Sequence, residues 1–385
     1  MEFSQRDTAV IRELAGRVAE VAAEPVMATR RKLWIEHNGL RPARAMILLF
    51  PEGSWTELVP PDSLECEDPD ARGLEADLRR RVYAWEHFDD DTVIDADWNV
   101  GPVIESTGWG LEPTWIDSST PRGAKQVERV LTGPEDLAKM HHPEIAVDEA
   151  AGGQRFEAMS ELFGDILNVR RRGVTHVGFH LTARYIKLAG PMQMLIDMVE
   201  RPAFVHEAIA FFAEGERKLQ QQYIDLNLLD VNNDNTYHSS GGNGWTDQLP
   251  AAGFDPDRVR PRDVWASAEA QELAGVSPEM HEQFALQYER PLLEPFGLTG
   301  YGCCEDLTQK LDSVLAIPNI RRISISPFAD VDACAEKLGG GYIFSWKPNP
   351  SMLVGRFDPA AVEAYIRHTV DVARANGCVL EMSLK

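Results

Sequence analysis

The sequence predicts an α/β protein: one (β/α)8 TIM-type barrel, with an N-terminal helical segment and an insertion over the barrel mouth. Three observations carry this. Strand-like runs recur between helical patterns: AMILLF near 45–50, GVTHVGFHL near 173–181, LNLLDVN near 226–232, DVWASA near 263–268, LTGYGCC near 298–304, IRRISIS near 320–326, YIFSWKP near 342–348 and CVLEMSL near 378–384. Such runs alternating with helices read as βα units around a parallel sheet, and eight of them suggest closure. The chain has 385 residues, enough for one barrel of roughly 250 residues plus insertions, so residues 1–385 are taken as a single domain. Helix ends also hand the chain straight to strands.

Those ends are legible. Ser277 before Pro278 is an N-cap with a first-turn proline, and Met280, Phe284, Leu286 and Tyr288 follow at near-helical spacing until Gly297. Asp358-Pro359 likewise opens a helix through AAVEAYIRHTVDVARA that Asn376-Gly377 closes before the last strand. The first residues, MEFSQRDTAVIRELAGRVAEVAAEP, carry mixed charge on a helical pattern. Residues from about 51 to 150 leave the βα rhythm and are rich in Pro, Asp and Trp, with DADWNVGPVIESTGWGLEP reading as a hairpin with a loop. They are expected to form a lid or binding insertion over the barrel mouth, a structural cap or dimer surface being an equal reading.

Charge narrows the function classes. A net charge of -23 disfavours phosphate backbones and anionic membranes, which need positive surface; nucleic acid is not an expected partner. No apolar run approaches the roughly 20 residues of a membrane span, and the start lacks a signal-peptide core, so a soluble cytoplasmic protein is expected. Cysteines at 66, 303, 304, 334 and 378 have no disulfide-framework spacing and are expected to be reduced.

The sharpest local feature is Tyr301-Gly302-Cys303-Cys304-Glu305-Asp306, where a strand should end and active sites of barrels lie. Alternation puts Tyr301 and Cys303 on one side. Vicinal thiolates beside a carboxylate are reasonable zinc ligands; on spacing alone the reading as small packed hydrophobes has the advantage. Glu269 and Glu272 after DVWASA, and His238 after LNLLDVN, are individually weak candidates, since strand-end glutamates and loop histidines are more often solvated. Glu381 in the last strand would be a buried charge, costly unless paired or metal-bound, and is the better ligand candidate. The polar segment DVNNDNTYHSSGGNGWTDQLP offers Asn233 and Trp245 for substrate contact, and its glycines let backbone approach a ligand. No Walker or GxGxxG pattern is present. Lys347 ends a strand, where it neutralises an anionic substrate or makes a structural ion pair.

NNDNTYHSSGGNGWTDQLP, GVSPEMHEQF, GYGCCEDLTQKLD, NIRRISISPFADV and SWKPNP, together with RPAFVH and LECEDPDARGLEADLR, span nearly the whole chain, and in them it resembles the uroporphyrinogen-decarboxylase-like superfamily. That resemblance implies a (β/α)8 barrel and either cofactor-free decarboxylation or zinc-dependent, corrinoid-linked methyl transfer. The arginine-rich RQAGR-type motif of the decarboxylases is missing; the corresponding stretch reads RPARAMILLFPEG. In the methyltransferases a strand-end His-x-Cys pair binds zinc; here Tyr301 replaces the histidine and Cys303 matches the cysteine. Related methyl-ether-cleaving enzymes resemble a glutamate-plus-cysteines pattern, for which Glu269 or Glu381 with Cys303 and Cys304 qualify. The relatives continue beyond the last strand, whereas this chain ends at Lys385, which is expected to leave one side of the mouth open.

The leading expectation is therefore a zinc-dependent methyltransferase moving a methyl group between a small methylated substrate, such as a methyl ether, and a corrinoid protein. Tyr301, Lys347 and His238 are the catalytic candidates and Asn233, Trp245 and Arg184 the substrate-binding ones. The alternative is a metal-free decarboxylase or lyase on a small acid, with Lys347, Arg184 or Tyr301 stabilising developing negative charge. A third is a non-catalytic binding barrel. Barrels of this kind often pair, so a homodimer is expected.

Overall fold

A computed structural model describes residues 3–120, 123–238 and 240–385. Its centre is a seven-stranded, wholly parallel sheet: β1 (Met46–Leu49), β2 (Gly178–Phe179), β3 (Trp265–Ala268), β4 (Leu298–Tyr301), β5 (Ile320–Ile325), β6 (Ile343–Trp346) and β7 (Val379–Leu384). The spatial order is β1-β7-β6-β5-β4-β3-β2, so the first strand lies beside the last. Seven of the expected strand segments join this sheet. The eighth, 226–232, does not; its Leu229 makes only an isolated parallel bridge to Val174. Asp230 and Asn232 turn their side chains onto Gly173 N–H and onto the Thr175 and Trp265 carbonyls, replacing a regular backbone ladder by side-chain bonds.

The two faces of the sheet differ because side chains alternate along a strand. One face carries Ala266, Ala268, Tyr301, Ile323, Ile325, Phe344, Trp346, Leu380 and Met382 into a large apolar core under the outer helices. These include Leu181–Ala189, Pro202–Asp225, Val331–Leu338 and Pro359–Ala375. The last is capped by Asp358, which accepts from Ala360 and Ala361 N–H, and Ser277 accepts from Met280 N–H at the start of Pro278–His281, both as the sequence indicated.

The opposite face is layered. Trp265, Leu298, Ile343 and Val379 form an apolar floor with Leu249. One step toward the strand C-termini lie Ser267, Gly300 and Arg322, in register across β3, β4 and β5, and Ser345 and Glu381, which pair across β6 and β7, while Arg322 itself pairs with Ile343. Into this polar layer reach the end of helix Pro25–Asn38, through His37 and Asn38, and the loop Ser240-Gly241-Gly242-Asn243. The loop can enter because Gly241 has φ +121° and Gly242 φ +61°, where side chains are strained, and no Cβ would fit beside Ser345, Arg322 and Glu381.

A second core joins helices Gln5–Ala22, Pro69–His87 and Glu149–Phe163. The expected hairpin within 95–113 is absent: Asp97–Val100 pairs in parallel with Asn168–Arg171, and Ile104–Ser106 pairs antiparallel with Ile145–Val147. Local pattern named the strands, but distant segments supplied their partners. Trp109 from this region packs edge-on against Phe212 of helix Pro202–Asp225. No helix among the described residues is long and apolar enough to cross a membrane.

Candidate active site

Residues just past successive strand ends converge at the C-terminal edge of the sheet: His180 after β2, Glu269 after β3, Cys303 and Cys304 after β4, Lys347 after β6 and Lys385 after β7. His180 Nδ1 and Glu269 Oε1 are 3.0 Å apart. The other Glu269 oxygen, Oε2, is buried without a hydrogen-bond partner. Burial pushes the Glu269 carboxyl upward, but the His180 bond and charge hold it below its usual range.

The Cys303 and Cys304 sulfurs are 3.5 Å apart. Cys303 is half-buried and Cys304 exposed. Donation from the Cys303 thiol, helped by the charge of Lys347, lowers Cys304 to about 7; the same bond and burial push Cys303 upward. The turn is fixed from below by Glu305, fully buried, which accepts from Cys303 N–H at 2.8 Å and Ala270 N–H at 3.2 Å. Lys347, also buried, donates to Ser324 Oγ and, at 3.4 Å, to Ser240 O. Ser324 in turn donates to Cys303 O at 2.7 Å. Desolvation depresses the Lys347 ammonium, so the lysine is tied to the thiol turn through one hydroxyl.

Lys385 also lines a cavity of about 780 Å³, together with Phe50, Trp55, Arg80, Phe88, Arg172, Asn235 and Tyr237, among others. That volume suits a small-molecule ligand. Lys385 Nζ stands 4.5 Å from the centroid of the Tyr237 ring, and of the strand-end residues named above Lys385 is the one that lines the cavity. Residues of the 51–100 region, Trp55 and Arg80 among them, build its far side.

The remaining sequence candidates lie elsewhere. Alternation does not carry past Tyr301, because Gly302 at φ +90° redirects the chain; the Tyr301 hydroxyl donates to Glu289 at 2.8 Å and lies 3.0 Å from His281 Nε2, under the helices. Glu381 is one layer below the mouth, 3.0 Å from Arg322 Nε and 3.1 Å from His37 Nε2. His238 is buried against Trp265, and neither ring nitrogen has a partner among the described residues. Asn233 donates to Leu249 O, Trp245 to Asn235, and Arg184 pairs with Glu216 at 2.7 Å while stacking on Trp109. Glu272 accepts from Thr182. Glu269, Cys303, Cys304 and Lys347 are thus brought together; Glu381, Tyr301 and Arg184 are held by other partners.

His180, Ser324, Tyr237 and Lys385 were not singled out from sequence. His180 could have been, since it follows the run GVTHVGF at a strand end. The aromatic wall could not, because its members come from segments far apart in the chain.

A zinc ion, which the sequence resemblance implies, would need donors here. Two sulfurs 3.5 Å apart are close to the span of about 3.8 Å for two thiolates on one tetrahedral zinc with Zn–S of about 2.3 Å, and Glu269 offers an unpartnered buried oxygen next to them. As the side chains stand, no three His, Cys, Asp or Glu groups among the described residues form a metal-holding cluster. The donor set fits zinc in kind, with the thiol pair in place and Glu269 still on His180.

Set against known protein families, curated proteins and solved structures, the chain matches none. The class that fold and site define is an α/β protein with a parallel sheet and a cysteine–glutamate–lysine cluster at the strand C-termini.

Proposed function

We propose that the chain is a zinc-dependent methyltransferase working at the mouth of a (β/α)8-type barrel. The barrel reading is supported by β1 lying beside β7 and by segments that add to the free edge at β1: Asp91 N–H bonds Ile47 O, and Asp97–Val100 pairs with Asn168–Arg171. The observation that carries the function is the Cys303–Cys304 pair with the orphaned Glu269 oxygen at the strand C-termini, where Lys385 also lines a ligand-sized cavity.

Cys303, Cys304 and Glu269 would hold the ion, which when bound supplies Lewis acidity to the heteroatom bearing the methyl group. His180 orients Glu269, Glu305 and Ser324 hold the thiol turn, and Lys347 places positive charge where the demethylated group would become anionic. The cavity takes the small methylated substrate, a methyl ether in the first instance. A corrinoid protein as methyl acceptor rests on the sequence resemblance alone.

The test is elemental analysis of untagged protein beside Cys303→Ser, Cys304→Ser and Glu269→Gln, followed by a methyl-transfer assay to free cob(I)alamin. About one zinc per chain, lost in each variant, and zinc-dependent transfer are the expected results. Protein that takes up no zinc sinks this reading. The second reading is a metal-free lyase on a small acid, favoured by the buried Lys347 ammonium; decarboxylation retained in metal-free protein and lost in Lys347→Met would establish it.

A further inference from the structure

Cys303 and Cys304 are adjacent in sequence, their sulfurs are 3.5 Å apart, and one of the two is exposed while the other is half-buried. The other described cysteines offer no comparable pair: Cys66 and Cys334 are buried, and Cys378 donates to Ala335 O. Adjacent Cα atoms across a trans peptide lie about 3.8 Å apart, below the usual disulfide range of about 4.4–6.8 Å. A bond between neighbouring cysteines is therefore strained, and strained disulfides are the readily reduced ones. The turn around this pair is anchored through backbone groups, Cys303 N–H on Glu305 and Cys303 O on Ser324, so the side chains can rotate without unfolding it.

We infer that Cys303 and Cys304 form a reversible modification site, closing to a vicinal disulfide on reaction with hydrogen peroxide. In the first step the exposed Cys304 sulfur, as thiolate, attacks the peroxide: an S–O bond forms, the O–O bond breaks, and hydroxide leaves and is protonated to water. In the second step the Cys303 sulfur attacks Cys304: the S–S bond forms, the S–O bond breaks, and the departing hydroxide takes up the Cys303 proton as a second water. Both cysteines are oxidised and the peroxide is reduced. A thiol donor such as glutathione reverses the closure. The disulfide removes two donors at once, so the closed form takes up no zinc. The chemistry needs only the two thiols and stands whether or not zinc is their resident ion.

The experiment treats metal-free full-length protein with a small excess of hydrogen peroxide and reads the peptide containing Gly302–Glu305 by mass spectrometry. The expected product has lost two hydrogens, is monomeric, and returns to the starting mass with glutathione. Cys303→Ser should instead stop at one added oxygen on Cys304. Zinc added beforehand should protect the wild type if zinc binds there; absence of protection would count against the zinc reading and leave the disulfide standing. One added oxygen that persists on wild-type Cys304, or cross-linking between chains in place of internal closure, would overturn the inference.

Discussion

A Cβ added to Gly242 would stand 2.7 Å from both carboxylate oxygens of Glu381. The loop that carries Gly242 therefore seals the polar layer of the sheet only because it has no side chain there, and φ of +61° makes any replacement strained as well. Gly242→Ala is expected to cost about 1–3 kcal/mol through overpacking and backbone strain. Urea unfolding checks this: the midpoint should fall with unchanged slope, and an unmoved midpoint would mean that the loop is not seated against Glu381.

Glu381 and Arg322 are both fully buried and 3.0 Å apart. Removing one partner leaves an uncompensated buried charge, so Glu381→Gln should lose about 3–5 kcal/mol. Despite burial, Arg322 and His37 hold the Glu381 carboxyl down at about 2, below its ordinary 4.5. A lowered folded pKa gives stability that is present above the unfolded value and disappears as pH falls through the folded one. Wild-type stability should therefore fall between about pH 4.5 and 2 by more than that of Glu381→Gln, measured by chemical denaturation at each pH.

Cys304 should be the reactive thiol. Its pKa of about 7 depends first on the Cys303 thiol and then on Lys347. The pH profile of iodoacetamide alkylation at Cys304 is expected to have its midpoint near that value. In Cys303→Ala it should move up toward the ordinary value of 9.0, and in Lys347→Met by less. A profile unchanged in Cys303→Ala would show that the two sulfurs do not share a proton.

Tyr301 and Glu289 make a separate prediction. Burial raises the Glu289 carboxyl well above its normal value, with the Tyr301 bond opposing. For a carboxyl with a raised folded pKa, stability is full below the unfolded value and declines as pH rises through the folded one. Glu289→Gln should flatten that decline. Tyr301→Phe should cost about 1–3 kcal/mol, from the buried groups it leaves unpaired, while zinc content and Cys304 alkylation stay at wild-type levels. Loss of zinc in Tyr301→Phe would place the hydroxyl in the site after all.

Sequence alone was enough for the α/β class, for seven of the strand segments, and for the caps at Ser277 and Asp358, because those depend on spacing, turn chemistry and burial within a few residues. It also marked the Cys303–Cys304 turn and Lys347, since a strand end can be read locally. The tertiary structure decided the rest. A single glycine at Gly302 turned Tyr301 away from the thiols, Arg322 claimed Glu381, and His180 and Glu269 met across neighbouring strands. Segment 226–232 exchanged a ladder for side-chain bonds, and the cavity took its walls from residues as distant in sequence as Trp55, Tyr237 and Lys385. Pairing across a sheet and convergence at its edge are set by how all strands register together, which no short window of sequence encodes.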